Sequence, residues 1–190
     1  FNHARKLTNS TIALFCRVLE NCPQSSLLLK SISFHERDEQ QRIRSRFEKQ
    51  GINPKRLIIL DWVKGGLNHL ASYNQIDAAL DPYPYGGATT TAEALWMGVP
   101  VVTQRHSGMA GCLSTSILSH GGQKQWIAND QEEYLEIALT LFAQGPRSKE
   151  DRNQLRYEIQ KSKVGDTRRL SRELESHYEK LQRNVAVPSS

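Results

Sequence analysis

The 190-residue sequence is poor in the features that mark several protein classes. No run approaches the ~18 to 20 consecutive apolar residues of a membrane-spanning helix, so no transmembrane segment is expected. No basic segment followed by an apolar one opens the chain, so no signal peptide is expected in it. The first residue is Phe1 rather than Met, and the sequence is expected to be a piece of a longer protein. Cysteine is scarce. Cys16, Cys22 and Cys112 show neither a pairing pattern nor metal-ligand spacing, which argues against a disulfide framework or structural zinc and fits a reducing, cytoplasmic setting. Aromatics are 7% of residues and do not interleave with a basic stripe, so the net charge of +5 does not read as a nucleic-acid surface. Arg42, Arg44, Arg46 and Lys49 mix with Glu36, Asp38, Glu39 and Glu48 as on a solvated helix, and Arg168, Arg169 and Arg172 mix with Glu173, Glu175 and Glu179. Internal repeats and low-complexity stretches are lacking.

What is present is an alternation of short apolar runs with longer segments of helical period. Thr8-Asn9-Ser10 offers caps for a helix carrying Ile12, Phe15, Cys16 and Leu19 on one face and ended by Pro23. Strands are predicted over Ser26 to Ser31, Arg56 to Asp61, Asp77 to Asp81 and Val99 to Thr103. Helices are predicted over about Glu36 to Gln50, Leu67 to Tyr73, Thr89 to Met97, Gly108 to Ser119 and Gln131 to Phe142. This order predicts an α/β fold: a Rossmann-like, doubly wound parallel sheet of at least four strands. Residues 1–145 would form that domain. Residues 146–190 would form a polar, all-helical extension of it, with a narrow stripe of Leu170, Leu174, Tyr178 and Leu181. That stripe either packs on its own domain, or covers a missing domain, or joins two copies as a homodimer.

In such sheets ligands bind beyond the carboxyl ends of the strands. The segment Asp81 to Pro100, DPYPYGGATTTAEALWMGVP, lies there. Gly86-Gly87 permits unusual backbone conformations or close approach. Thr89-Thr90-Thr91 then opens a helix whose unpaired N–H groups and partial positive charge suit a phosphate. Glu93, one turn on, can accept hydrogen bonds from the hydroxyls of a ribose. Two plainer readings stay open: Thr90-x-x-Glu93 fits a capping box, and Gly-Gly fits a simple turn. The glycines lack the dinucleotide spacing G-x-G-x-x-G.

The run DPYPYGG, TTT, EALWMGVP and VVT, with Ser116-Ile117-Leu118, Glu133-Tyr134, Phe1-Asn2, Lys6, Pro54 to Ile59 and His69, resembles the C-terminal catalytic half of the O-GlcNAc transferase and SPINDLY family over nearly the whole chain. The resemblance implies a GT-B fold, in which two Rossmann-like domains face each other and the C-terminal one holds the donor. The implied function is donor binding in an inverting, metal-independent glycosyltransferase that moves a GlcNAc-like sugar onto protein Ser or Thr hydroxyls. UDP-GlcNAc is the first donor implied, with no cofactor and no metal. The implied partners are the acceptor protein, an N-terminal GT-B domain and tetratricopeptide repeats, and a piece without them would be inactive alone.

The resemblance also assigns residues. Lys6 matches the lysine that contacts the donor diphosphate and supports leaving-group departure. His3 falls where animal members carry a glutamine near the phosphates. Lys64 aligns with a position whose backbone reads the base, and His69 with a histidine beside the nucleoside. Gly86, Gly87, Thr89 and Thr90 match the phosphate loop and helix start, and Glu93 the acidic residue on the ribose. Further positions depart from the family pattern. Ala88 replaces a histidine, Gly66 a nucleotide-contacting lysine and Cys112 an arginine. The threonine run is closer to SPINDLY-like members, which admits an O-fucosyltransferase using GDP-fucose as an alternative. A non-catalytic nucleotide- or protein-binding module and a nucleotide-sugar epimerase are the other readings.

Overall fold

The computed structural model describes residues 1–62 and 66–185. Among the described residues, eight α-helices and five short strands alternate, and every strand pair is parallel, as expected of an α/β fold of Rossmann type. The first helix, α1 (Asn9–Asn21), is capped by Thr8, whose Oγ1 accepts from the Thr11 amide at 3.1 Å. Its apolar face is buried through Ile12, Leu14, Phe15, Cys16, Val18 and Leu19. At the other end Arg56 closes the helix. Its Nη2 donates to the carbonyls of Leu19 at 2.9 Å and Cys22 at 2.7 Å, and its Nε to Ser25 O at 2.9 Å. A guanidinium there satisfies carbonyls that a helix terminus leaves without partners.

Strand β1 (Leu27–Lys30) pairs with β2 (Leu57–Leu60), in register from Leu27 opposite Leu57 to Lys30 opposite Leu60. The crossover between them is α2 (Arg37–Glu48), which buries Ile43 and Phe47. The mixed charge of this helix is not wholly solvated, contrary to the expectation. Arg44 turns inward to the carbonyls of Pro54 and Leu57 at 2.9 and 2.8 Å, and Arg46 reaches Leu7 O at 2.7 Å. The Arg42–Glu39 pair behaves as a surface contact. The long guanidinium stems let these charges reach backbone carbonyls, that of Leu57 at the start of β2 among them.

A second sheet has the order β3-β4-β5. Strand β3 (Ala79–Leu80) follows α3 (Gly66–Ala71) and a short turn over Ser72–Gln75. Helix α4 (Thr89–Trp96) leads to β4 (Val101–Gln104), and α5 (Met109–His120) to β5 (Ile127–Ala128). The strand β5 is an element that apolar run length alone did not separate from its surroundings. Helix α6 (Gln131–Ala143), capped by Asp130 at the Glu133 amide, buries Tyr134, Ala138 and Leu141. Helix α7 (Lys149–Lys161) starts in a capping box of Ser148 and Asp151 and packs through Leu155 and Ile159. Its Arg152 donates to Ile76 O at 2.7 Å, which ties the tail to the turn before β3.

The last helix, α8 (Thr167–Val185), is different. Leu170, Leu174, Tyr178 and Leu181 lie 47% to 66% exposed, so its apolar stripe does not pack on its own domain. Among the described residues no helix is long and apolar enough to cross a membrane.

Where α4 ends, Gly98 has φ +71° and a Cβ placed on it would fall on the Arg152 backbone of α7. Gly122 has φ +78° but faces open space. Gly98→Ala should therefore cost roughly 2 kcal/mol or more, strain plus overpacking, and Gly122→Ala only about 1 kcal/mol of strain. Urea-unfolding midpoints of the two variants would test this, and equal losses would remove the packing role of Gly98.

Candidate functional site

The chemistry-bearing residues gather beyond the carboxyl ends of β3 and β4, around one buried carboxylate. Asp81, directly after β3, is 3% exposed. Its backbone is held on both sides: its N–H donates to Val102 O at 2.9 Å, and its carbonyl accepts from Tyr134 Oη at 3.1 Å. Its side chain accepts from the Gly87 amide at Oδ1 (2.7 Å) and from Thr103 Oγ1 at Oδ2 (2.8 Å). Burial raises the Asp81 pKa above the usual aspartate value, while the hydrogen bonds from Thr103 and Gly87 and the charge of Lys6 oppose the rise.

The loop from Pro82 to Ala88 is wrapped on this carboxylate. The Tyr83–Pro84 peptide is cis, and Tyr83 O accepts from Thr11 Oγ1 at 2.7 Å. A Cβ on Gly86 would stand 2.5 Å from Asp81 Oδ2, and one on Gly87 2.6 Å from both Thr90 Oγ1 and Thr91 Oγ1. Neither glycine has positive φ, so close approach is the reason for glycine here. The Gly87 carbonyl is also fixed. Ser114 Oγ donates to it at 2.8 Å, and Thr91 Oγ1 lies 2.9 Å from Ser114. Gly87 is thus held at both its amide and its carbonyl.

Lys6 arrives from the other end of the chain, 80 residues away. Its Nζ donates to Gly86 O at 2.7 Å and to Asn2 Oδ1 at 2.9 Å, and it lies over the Tyr85 ring at 4.2 Å. An ammonium has three N–H groups, so one donor and the full charge remain for an anion. Among the described residues no carboxylate forms an ion pair with it. Burial lowers the Lys6 pKa, and the charge of Asp81 opposes that shift.

The start of α4 is open. Ala88 occupies the cap position and supplies no side-chain cap, Thr89 is exposed and Thr90 half-buried. Thr90 Oγ1 reaches Asn2 Oδ1 at 3.3 Å, which joins Thr90 and Lys6 through one amide. The capping-box reading is overturned, because Glu93 does not turn back to the helix start. Its Oε2 instead accepts from Tyr73 Oη at 3.0 Å and lies 3.0 Å from His69 Nε2. His69 is oriented in turn by Lys30 Nζ, 3.2 Å from Nδ1, and Lys30 donates to Ser72 Oγ at 2.7 Å. A lysine ammonium only donates, so Nδ1 accepts and Nε2 carries the proton given to Glu93.

The structure therefore brings together Lys6, Gly86, Gly87, Ala88, Thr89, Thr90, Glu93 and His69. His3 stands apart: it is exposed, and its Nδ1 accepts from the Arg5 amide at 3.2 Å. Lys64 lies outside the described residues, and Gly66 is the first residue of α3. Cys112 is exposed, with Sγ 3.0 Å from His106 O. Sequence reasoning missed Asn2, Lys30, Tyr73 and Ser114 as site-forming residues. Asp81 at a strand end carried the one usable signal, a carboxylate in an apolar run.

A protein-family model, Glycosyl transferase family 41, matches residues 1–174. The chain is 33% identical over 192 residues to a tomato (Solanum lycopersicum) protein named as a probable UDP-N-acetylglucosamine–peptide N-acetylglucosaminyltransferase SPINDLY. That alignment covers 100% of this chain and 21% of the relative. It is 30% identical over 141 residues to the Caenorhabditis elegans UDP-N-acetylglucosamine–peptide N-acetylglucosaminyltransferase, covering 74% of this chain and 12% of that one. A solved structure of a mutant Thermobaculum terrenum O-GlcNAc transferase superposes with a TM-score of 0.85 at 33% identity, over 97% of this chain and 35% of that one. The chain thus spans about a fifth of the length of the tomato relative.

Asp81→Ala would strand two buried donors, whereas Asp81→Asn keeps the shape and sets an amide against one of them. The Asn variant should lose about 1 to 3 kcal/mol and the Ala variant more. The sign of the pH effect follows from the raised pKa: the folded state holds this proton more tightly, so its contribution to stability falls as pH rises from the ordinary aspartate value through the folded one. Asp81→Asn should flatten that slope in urea titrations from pH 4 upward. Unchanged stability and slope in both variants would remove Asp81 as the anchor.

Proposed function

The chain belongs to glycosyl transferase family 41, and from that premise we propose that it is the donor-binding half of an enzyme that transfers a sugar from a nucleotide sugar to protein Ser or Thr hydroxyls. One observation carries the reading: the Lys6 ammonium sits on the Gly86 carbonyl beside the uncapped start of α4. Two sources of positive potential, a side-chain charge and a helix N-terminus, converge on one open place.

The chemistry follows from where charge grows. Breaking the bond between the sugar and its diphosphate leaves negative charge on the diphosphate. Lys6 and the amides of Thr89 and Thr90 are already oriented there, and they stabilise that charge more in the transition state than in the ground state. These groups do the charge-stabilising work within the chain itself, which is why the proposed mechanism routes no step through a metal. Lys6 is held by neutral acceptors, Asn2 Oδ1 and Gly86 O, so its charge is not spent on a carboxylate.

Glu93 is assigned to the ribose. Tyr73 and His69 both engage Oε2, which fixes the carboxylate and leaves Oε1 to accept from a sugar hydroxyl. His69 then borders the nucleoside, and its ring is oriented by Lys30. The exposed stripe of α8 is assigned to the missing GT-B domain or to a second copy. UDP-GlcNAc is the donor proposed first, with GDP-fucose the alternative.

Calorimetric titration with UDP and GDP tests the site. One nucleotide should bind detectably, and the preferred one reports the base. Lys6→Ala should weaken it about 10-fold or more, as expected for a lost charge-assisted hydrogen bond, and Thr90→Ala by about 3- to 10-fold. The Lys6 contribution should shrink as salt is raised. Negligible binding of both nucleotides, or variants that bind like the parent chain, would refute the assignment.

A further inference from the structure

A carboxylate would fix a lysine ammonium and cancel its charge at the same time. Lys6 is fixed by neutral groups instead. Its Nζ donates to Asn2 Oδ1 at 2.9 Å and to Gly86 O at 2.7 Å, and the Tyr85 ring centroid is 4.2 Å away. Asn2 also reaches the start of α4, because Thr90 Oγ1 lies 3.3 Å from the same Oδ1.

The orientation of the Asn2 amide follows from its partners. An ammonium has no acceptor, so the oxygen and not the NH2 group faces Lys6. The Thr90 hydroxyl, at that same oxygen, must then be the donor, and its single proton points at Asn2. The two bonds differ in strength. The ammonium bond at 2.9 Å has ordinary length, whereas 3.3 Å is long for a hydroxyl donor. An anion arriving at the helix start can therefore take the Thr90 proton and leave the Asn2–Lys6 bond in place.

Asn2 is itself held. The Phe1 ring before it stacks on Tyr73 at 4.1 Å, the Ala4 amide donates to Ser31 Oγ at 3.2 Å, and the Lys6 amide closes a turn on His3 O at 2.9 Å. On this pinned segment a short amide side chain steadies an ammonium carried on a long, flexible stem. The Asp81 carboxylate is not a substitute, since its oxygens are engaged by the Gly87 amide and the Thr103 hydroxyl.

We propose that Asn2 is a positioning residue: its neutral carbonyl oxygen fixes the Lys6 ammonium beside the start of α4 without cancelling its charge, and it gives up Thr90 when a diphosphate arrives. This role rests on the donor-site reading above and adds the requirement that position 2 carry an uncharged acceptor. Asp has the shape of Asn and is the stronger acceptor. For a residue that only holds the fold together, Asn2→Asp is thus mild and Asn2→Ala the more damaging. For a residue that holds Lys6 ready for an anion the order reverses, because Ala leaves the ammonium loose but charged and Asp pins and neutralises it.

Calorimetric titration with inorganic pyrophosphate, UDP and GDP reads that order. Asn2→Ala should weaken binding of pyrophosphate and of the preferred nucleotide about 3-fold, and Asn2→Asp about 10-fold or more. The remaining affinity of the Asp variant should depend less on salt than that of the parent chain. Added to Lys6→Ala, Asn2→Ala should cost no further affinity. An undiminished further loss would mean that Asn2 meets the anion itself, and the positioning role fails. It fails also if the Asp variant binds as well as the Ala variant, or if affinity losses track a fall in Tm. An NMR titration of the Lys6 side chain checks the contact without any ligand. Burial holds the Lys6 pKa down against the charge of Asp81, and Asn2→Asp should raise it whereas Asn2→Ala should not. A parent chain that binds neither pyrophosphate nor nucleotide refutes the donor site. The titration then judges Asn2 separately: a rise in the Asp variant supports its hold on Lys6, and equal values in parent and Asp variant overturn it.

Discussion

The structure turns on the Asp81 carboxylate. It is buried with its charge opposed by desolvation, and only donors in fixed places make that position tenable. Those donors, the Gly87 amide and the Thr103 hydroxyl, come from the loop after β3 and from β4. By accepting both, Asp81 ties the sheet to the loop that opens α4. The glycines follow from the same constraint, since any side chain at 86 or 87 would collide with Asp81 or with the threonines. The open helix start is therefore a consequence of a backbone drawn tightly onto a buried charge.

Around this anchor the site is assembled from distant parts of the chain. Lys6 and Asn2 come from the first turn, His69 and Tyr73 from α3 and the turn after it, Thr90 and Glu93 from α4, Ser114 from α5. A parallel sheet makes this possible, because each strand delivers its following loop to the same edge. The polar network beside the helix start is graded. Lys30 orients His69, His69 and Tyr73 orient Glu93, and each step removes freedom from the next side chain. A group placed this way meets its ligand with little reorganisation left to make.

Family membership and fold agree with each other. The match to glycosyl transferase family 41 spans residues 1–174, the part of the chain that contains every strand and every site residue named above.

Much of this was legible from the residues alone. Four strands and the helices between them were apparent because apolar run length and helical period are local properties, and Thr8, Pro23 and Gly98 punctuate them where the structure does. The uncapped helix start was legible for the same reason: glycines, then threonines, directly after a strand. The short β5 was not, since two apolar residues beside Trp126 carry no period. Tertiary structure decided the rest. Whether Glu93 capped its own helix or turned away from it depended on Tyr73 and His69, about twenty residues earlier in sequence and 3.0 Å away in space. Whether Arg44 and Arg46 met water or backbone depended on which carbonyls folding brought within their reach. Sequence determines what each segment prefers, because propensity and periodicity act over a few residues. Which polar group answers which is settled only on folding, because burial makes an unanswered group costly and the answer comes from wherever the chain brings it.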